Sequence, residues 1–319
     1  MSKKEIEIIF ETITPIWTGD INGECTEIKP ASIIGSLRFW FEVYCHFAGI
    51  KVKENENLDY KTFEKIRKEA FEEYNKKEIS DIKEYIIKKL PLTAPSKIFG
   101  CTGWKSRIKI EIDNFEEEYI EFNKLEFEFP LNHNKQKSTT DFWIKKSLFN
   151  DNIKNSLKFF KNIKIKLITT DYLCDKYLND FFEYFKDKLI LVGGKNSFGF
   201  GFVNLSLDNN QDNLTNFNSI DNFLKTEKIT NITYSKEKNI LGFNFKYYLR
   251  KKENKNFRNN NFGEQGKSSK IYVSNLLKNN FVYLLLLNNP FSEESKIPQH
   301  IFEKYVKWLK SINGDSRNE

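Results

Sequence analysis

A glycine-rich stretch near the middle of the chain, VGGKNSFGFGFV at 192–203, has the residue types that bind phosphate. Backbone N–H groups of a glycine loop approach a phosphate closely, and a lysine adds positive charge. The alternative is that the first two glycines end a helix and the later two relieve crowding where a strand begins. The residues that would form a phosphate-binding loop are Gly193, Gly194, Lys195, Asn196, Ser197, Gly199 and Gly201.

Two better-known glycine motifs do not fit this chain. A dinucleotide fingerprint needs a strand, G-x-G-x-x-G and then a helix, but the expected order here is helix, loop, strand, and Asn204 stands at the third glycine position. A P-loop needs G-x-x-x-x-G-K-[ST], but Asn261 stands where the first glycine belongs before Gly266 and Lys267. Neither dinucleotide binding nor nucleotide hydrolysis is predicted.

Acid–base chemistry has one candidate, His46. It lies on the first predicted helix four residues after Glu42, whose carboxylate could orient the imidazole as a general acid or base. The alternative is a purely structural pair. His133 and His300 have no companion motif, and the four cysteines are far apart without C-x-x-C spacing. Reduced thiols, no metal site and no cofactor are therefore expected.

Two stretches combine cations with aromatic or flexible sequence. Residues 92–109 carry four cations and no acid around Trp104, the combination that binds single-stranded nucleic acid through phosphate contacts and stacking. Alternatively, Trp104 belongs to the core and the cations lie on the solvent-exposed face of a strand. The cations are Lys97, Lys105, Arg107 and Lys109.

The segment 246–270 holds eight Lys or Arg against two Glu and is rich in Asn and Gly. It includes Arg258, Lys267 and Lys270, and its composition is typical of a loop that orders on a polyanion. The alternative is a solvated loop whose lysines reflect an AT-rich genome.

Composition limits the class of protein. The chain has 319 residues, enough for two domains, and a formal net charge of +7, which permits a polyanionic partner. The longest apolar run, FVYLLLL at 281–287, is too short to span a bilayer, and no signal peptide is apparent. A cytoplasmic protein without a membrane partner is expected.

Hydrophobic periodicity predicts an N-terminal domain over 1–207. A strand is expected at 4–12, followed by a helix with Ser32 as its N-cap and then a charge-balanced helical insertion at about 51–90. The remaining expected elements are a hairpin of strands 104–112 and 119–130 joined by the acidic turn DNFEEE, a strand at 161–170, a helix running directly into the glycine loop, and a strand at 200–207.

An Asn-rich linker at 208–219 separates this unit from a predicted C-terminal domain over 208–319. Strands are expected near 239–248, 271–273 and 281–287, followed by a final helix built on Ile301, Tyr305, Trp308 and Leu309. Helices mixed with antiparallel hairpins favour an α+β fold, with two tandem ferredoxin-like units as the first choice.

Several blocks in this order resemble the Cmr subunit one family of the RAMP superfamily, found in type III-B CRISPR effector complexes. They are ITPIWTGD with EIKPASIIGSLRFWFEVY, then SKIFGCTGWKSRIKI, the glycine loop ending GFGFV, and GKSSKIYVS. The resemblance implies tandem ferredoxin-like domains related to RNA-recognition modules, in a non-catalytic subunit that handles guide RNA and captures target RNA. By position it implicates Lys29, Ser32 and Arg38, then Trp104, Lys105 and Arg107, the 193–201 loop, and Lys267 with Lys270.

The chain departs from this family pattern at two places. Glu42 stands where relatives often have a second arginine, and the glycine loop offers Lys195 instead of the usual arginines. Electrostatic contact with RNA is expected to be weaker there, which leaves more of it to 246–270.

The expected function is a non-catalytic RNA-binding subunit whose partners are single-stranded RNA and other RAMP subunits. One alternative is a metal-independent endoribonuclease that processes guide RNA with His46 as its proton shuttle. The other is a protein scaffold whose basic loop docks an acidic partner without touching RNA.

Overall fold

The structure is a computed structural model that describes residues 2–19, 24–121, 125–126, 156–207, 224–230, 239–240, 242, 254–262, 269–276 and 281–287. The predicted linker at 208–219, most of the strand near 239–248, the final helix, His133 and His300 lie outside these residues.

The N-terminal part alternates strands and helices. Its elements are β1 (Lys3–Thr12), α1 (Pro30–Phe47), α2 (Tyr60–Asn75), α3 (Ile82–Lys89), α4 (Ala94–Phe99), β2 (Lys109–Glu121), β3 (Leu125–Glu126), β4 (Ser156–Thr170), α5 (Asp171–Leu173), a π-helical segment (Cys174–Leu178), α6 (Asn179–Phe185), β5 (Leu189–Leu191) and β6 (Phe202–Leu207). The helices α2 and α3 occupy the region expected to be a helical insertion.

Five of these strands form one antiparallel sheet in the order β2-β4-β1-β6-β5. Without the short edge strand β5, the chain runs β-α-β-β-α-β through β1, α1, β2, β4, the α5–α6 helical stretch and β6. This is the ferredoxin-like topology predicted for the first unit.

One face of the sheet and the helices enclose the core. Alternate residues of β1 and β4, such as Phe10 and Ile165, are fully buried because side chains alternate across a strand. They face aromatic side chains of α1 and α6, where the rings of Trp40 and Phe185 lie 5.5 Å apart. The indole of Trp40 also donates a hydrogen bond to the Leu191 carbonyl at 2.9 Å, which ties α1 to β5.

Helix α1 begins earlier than expected. Pro30 stands in its first turn after Lys29 as the N-cap residue, so Ser32 lies inside the first turn and is not the cap. The reason is that proline, with φ already helical and no N–H to satisfy, is well suited to the first helical position.

The predicted acidic hairpin is wrong, because β2 continues through the sequence DNFEEE as one strand. Its register shifts at Asn114, and Glu117 and Glu118 then pair across the sheet with Lys158 and Lys161 at 2.5 and 2.6 Å. Opposite charges on neighbouring strands stabilise the pairing, so the acidic residues do not need a turn.

A second correction concerns the glycine loop. The helix ends at Phe185, and β5 intervenes before the loop, which therefore joins β5 to β6 as a hairpin connection. Gly193 and Gly194 do not cap a helix. The actual order of strand, loop and strand still excludes a dinucleotide fingerprint, which needs a helix after the loop.

The described C-terminal elements are β7 (Leu224–Thr230), β8 (Asn239–Ile240), α7 (Lys255–Phe262), β9 (Ile271–Val273) and β10 (Phe281–Leu287). β7, β10 and β9 form a three-stranded antiparallel sheet in that order, and β8 pairs with β3. Leu285 and Leu287 of β10 belong to the same apolar cluster as the first unit. The α+β class is confirmed, whereas a complete second ferredoxin-like unit stays a prediction.

Candidate functional site

Helix α1 lies between two glycine-containing loops and holds both. On one side, the Ser36 hydroxyl accepts a hydrogen bond from the backbone N–H of Gly193 at 2.9 Å. On the other side, the Arg38 guanidinium donates to the Gly100 carbonyl at 2.7 Å. The glycine loop and the loop that contains Trp104 are thus positioned by a single helix.

The start of α1 is anchored by Thr18, which is fully buried. Its hydroxyl accepts from the Lys29 backbone N–H at 3.2 Å and donates to the Glu27 carbonyl at 3.0 Å. The Lys29 ammonium pairs with the Glu27 carboxylate, so part of its charge is already neutralised. Ser32 lies further on in the first turn and is half-buried.

The glycine loop is bound to the segment that follows β1. Gly194 donates its backbone N–H to the Trp17 carbonyl at 2.8 Å, in an isolated antiparallel bridge. Gly193 has φ of +80°, and a Cβ there would lie 2.5 Å from the same carbonyl oxygen. Only glycine combines this backbone conformation with such a close approach, so the glycine at 193 fixes where the loop lies.

Lys195 is the cation of this loop. It has φ of 59°, in the left-handed region, and its ammonium lies 4.2 Å from the centre of the Trp17 ring. Burial lowers the pKa of Lys195 to about 8, and the nearby Cys25 thiol acts in the opposite direction. A half-buried ammonium that has lost part of its hydration gains strongly from an anion placed beside it.

The rest of the loop forms a turn of 3-10 helix over Asn196–Phe198. The Asn196 amide donates to the Phe200 carbonyl at 3.0 Å, so this side chain maintains the loop's shape. Ser197 lies in the turn and is half-buried. The backbone N–H of Gly201 donates to the Pro15 carbonyl at 2.9 Å, and the Gly199 carbonyl accepts from a backbone N–H of the C-terminal part.

The expectation of an exposed, base-stacking Trp104 is wrong. The side chain is 5% exposed, and its indole N–H donates to the Lys97 carbonyl at 3.1 Å. The guanidinium of Arg107, itself an exposed residue, lies 3.9 Å from the ring centre. The cation–aromatic pair inferred from the sequence exists, but it is formed within the protein, and Arg107 and the exposed Lys105 are the groups that face solvent.

Lys97 is separated from these exposed cations. It is 9% exposed, and its ammonium donates to the Lys88 carbonyl at 3.1 Å. Burial and, to a lesser extent, the charge of Lys176 lower its pKa. The structure therefore places Lys97 on the α3 side of α4.

The proposed carboxylate partner of His46 is engaged elsewhere. Glu42 accepts from the Arg38 guanidinium at 2.8 Å and so helps to aim it at Gly100. His46 is exposed near the end of α1, with its ring against Phe47 at 5.2 Å. At 1.5 Å per residue it lies about 15 Å along the helix axis from Ser36, which contacts the glycine loop.

The C-terminal candidates are only partly described. Lys270 is half-buried, burial lowers its pKa, and its carbonyl accepts from the Leu287 backbone N–H at 2.8 Å. Arg258 belongs to α7, but its side chain lies outside the described residues, as does the whole of Lys267.

The outward positions of the central strands carry balanced charge. Lys164 pairs with Glu7 at 2.8 Å, while Lys166 lies opposite both Glu7 and Glu111 in the register. RNA-recognition modules of this topology stack bases on sheet aromatics. At these outward positions of β1 and β4 the structure has lysines that face glutamates, and Ile9, instead of aromatic rings, so the loops around α1 are the better candidate surface.

Two residues that shape the site were not singled out from the sequence, Ser36 and Trp17. A serine in a helix interior usually bonds its own backbone, as Ser36 does to the Ser32 carbonyl at 3.1 Å. Its second bond to Gly193 depends on tertiary packing. Trp17 lies in the ITPIWTGD block, which was a signal available in the sequence.

The described residues were also compared with the requirements of metal sites, disulfide bonds and membrane-spanning helices. No three His, Cys, Asp or Glu side chains gather there in a way that could hold a metal ion. The four cysteines are free thiols, three of them buried. Within the same ranges, every helix is too short or too polar to cross a membrane.

Comparison with known proteins identifies a family. The family model described as the RAMP superfamily matches residues 9–204, more than half of the chain. Among solved structures, Cmr1 from Pyrococcus furiosus in its apo form is similar with a TM-score of 0.43 and 14% sequence identity, over 98% of this chain and 96% of that chain. Among curated proteins, none matches the chain.

Proposed function

Because the chain belongs to the RAMP superfamily, we propose that it is a non-catalytic RNA-binding subunit of a type III-B CRISPR (Cmr) effector complex. In this role it holds guide RNA and helps to capture target RNA in the cytoplasm, beside other RAMP subunits, in antiviral defence. The assignment to the Cmr complex rests on the ordered sequence blocks from ITPIWTGD to GKSSKIYVS.

The observation that carries the proposal is the position of Lys195. Its ammonium lies against Trp17, in a loop that Ser36 and Gly193 fix to α1. Burial removes part of its hydration and lowers its pKa to about 8, so the charged form is less stable than that of an exposed lysine, although it still predominates at pH 7. A phosphate of RNA beside this ammonium stabilises the charged form.

The second loop adds solvent-facing cations on the other side of α1. Lys105 and Arg107 are exposed, and the Arg107 guanidinium lies 3.9 Å from the centre of the Trp104 ring. A guanidinium fixed in this way binds a phosphate with less loss of side-chain entropy than a mobile one does. Together the two loops form a basic surface on either side of α1 for a single strand.

The test is RNA binding by the purified chain over a salt series, with end-labelled single-stranded RNA analysed on native and denaturing gels from the same tubes. Removing one lysine or arginine that binds a phosphate of a single strand reduces the slope of log affinity against log salt by about 0.7. Lys105→Ala with Arg107→Ala should therefore reduce the slope by about 1.4. A matched control, Lys65→Ala with Lys68→Ala, removes two exposed lysines of α2.

The two competing functions predict different results on these gels. Shortened RNA without magnesium, abolished by His46→Ala, would replace the proposal with a guide-processing nuclease. Intact and unshifted RNA at low salt would replace it with a protein scaffold. A shift that the test and control variants weaken equally would mean that binding is general electrostatic attraction rather than contact through the α1 loops.

A further inference from the structure

A second group of cations lies on the helical side of the first unit. Lys88 is near the end of α3, and Lys176 belongs to the π-helical segment. Their ammonium groups lie 5.0 and 5.4 Å from the centre of one ring, that of Tyr172. The two charges are therefore within about 10 Å of each other, which is about one Debye length at 0.1 M salt.

Lys97 adds a third charge beneath them. Its side chain is 9% exposed, and its ammonium donates to the backbone carbonyl of Lys88. Lys176 is close enough to disfavour the charged form of Lys97, in addition to the larger effect of burial on its pKa. Two ammonium groups thus lie against one tyrosine, and a third, from another stretch of sequence, bonds the backbone of Lys88 next to them.

Local carboxylates compensate only part of this charge. Glu84 pairs with Lys88 at 2.5 Å. Glu56 acts favourably on Lys97, but its carboxylate already accepts hydrogen bonds from the backbone N–H and the hydroxyl of Thr93. In the described ranges Lys176 makes no ion pair. Like charges held this close repel each other, and a bound anion would relieve the repulsion.

The tyrosine hydroxyl completes a set of donors. Lys176 donates to the Tyr172 hydroxyl oxygen at 3.1 Å. A tyrosine hydroxyl can accept a hydrogen bond through its oxygen and donate its own proton at the same time. Phosphate oxygens accept hydrogen bonds from ammonium and hydroxyl groups alike, which makes phosphate the ligand chemistry that fits best.

We propose that Lys88, Lys97 and Lys176, with the Tyr172 hydroxyl, form a second anion site that binds a phosphate group. It is separate from the glycine loop, since Tyr172 follows the end of β4 at Thr170 while the loop lies beside the opposite end, near Phe160. Ten residues of strand separate the two ends by about 33 Å. The phosphate belongs either to an RNA strand, in which case the inference rests on the proposed function, or to a free phosphate compound.

The experiment uses the full chain and the variant Lys88→Gln with Lys176→Gln, both at exposed positions. Lys65→Gln with Lys68→Gln on α2 is the control for loss of two charges. One arm measures the salt slope for an oligoadenylate of about 20 nucleotides, and the other measures the rise of Tm on adding pyrophosphate. The Tm of each unliganded variant shows whether it is folded.

If RNA supplies the phosphate, the slope falls by about 1.4 in the test variant relative to both wild type and control. If a free compound supplies it, the slope is unchanged but the pyrophosphate-induced rise in Tm disappears in the test variant alone. Equal behaviour of test and control variants in both arms overturns the site. Failure of the wild type to bind RNA would refute the proposed function. The pyrophosphate-induced rise in Tm would then decide by itself whether the second anion site exists.

Discussion

The ammonium of Lys195 lies 4.2 Å from the centre of the Trp17 ring, between two segments that are 178 positions apart in the sequence. The contact exists because Gly193 and Gly194 lie against the Trp17 backbone and place the next residue over its ring. A lysine in this position is partly desolvated, and RNA binding should depend on its protonation.

The first prediction concerns pH. Burial lowers the pKa of Lys195 to about 8, so the free protein loses this charge as pH rises from about 7 to about 9. Because phosphate favours the charged form, binding takes up a proton above about pH 8, and affinity should fall by up to about tenfold over this range. The measurement is affinity for oligoadenylate, whose bases do not titrate in this window.

Lys195→Arg is the control for this prediction. A guanidinium stays protonated throughout the range, so the variant should bind RNA with a nearly flat pH profile. A profile as steep as that of the wild type would mean that another group is titrating.

The second prediction compares two glycines close to the same site. Gly193→Ala places a Cβ 2.5 Å from the Trp17 carbonyl oxygen at a φ of +80°, and the left-handed conformation alone costs about 1–2 kcal/mol. Gly35→Ala adds a Cβ in the interior of α1 with no atom within 4 Å and should stabilise by about 0.5–1 kcal/mol. Thermal unfolding measures both, and a loss of stability at Gly35 as large as at Gly193 would contradict the described loop.

The third prediction separates packing from binding around Trp104. Trp104→Leu leaves the Lys97 carbonyl without its donor and should lower the free energy of unfolding by about 1–3 kcal/mol or more. RNA affinity of the folded variant should fall less than in an Arg107 variant, because the ring is 5% exposed and contributes only by holding Arg107. Arg107→Gln should instead weaken RNA binding with little loss of stability. The slope of log affinity against log salt should fall by about 0.7. A large loss of affinity in a folded Trp104→Leu protein would restore base stacking by Trp104.

The fourth prediction concerns the contact between the glycine loop and the C-terminal sheet. The Asn275 backbone N–H donates to the Gly199 carbonyl at 3.1 Å, and a Cβ at Gly199 would lie 2.7 Å from the Val273 carbonyl oxygen. Gly199→Ala should therefore raise amide hydrogen exchange in β9 and at Asn275, while β1 and β4 stay protected.

Asn275→Ala offers an independent check of this contact. It removes the side-chain acceptor of the Gly242 backbone N–H, 2.5 Å away, without changing a residue of the glycine loop. The variant should raise exchange at the same C-terminal amides. Exchange that rises equally across the first sheet would show instead that the two parts unfold together.

Sequence periodicity alone determined the elements whose side chains have one buried face. β1 lies where alternation placed it, and α1 lies within a turn of where helical spacing placed it, because a half-buried strand or helix must repeat its apolar residues with the period of its backbone. β10 coincides with the apolar run at 281–287, whose last four residues are all buried. The ordered sequence blocks also indicated the superfamily that the family model matches.

Tertiary structure decided the features that depend on a partner distant in the sequence. The acidic segment at Glu117 is a strand because Lys158 lies across the sheet, and Trp104 is buried because the Lys97 carbonyl and Arg107 cover it. Lys195 became the central cation only once β5 and Trp17 fixed its loop. The local sequence shows which groups need an opposite charge, a hydrogen-bond partner or burial. Only the tertiary structure determines which distant residue provides it.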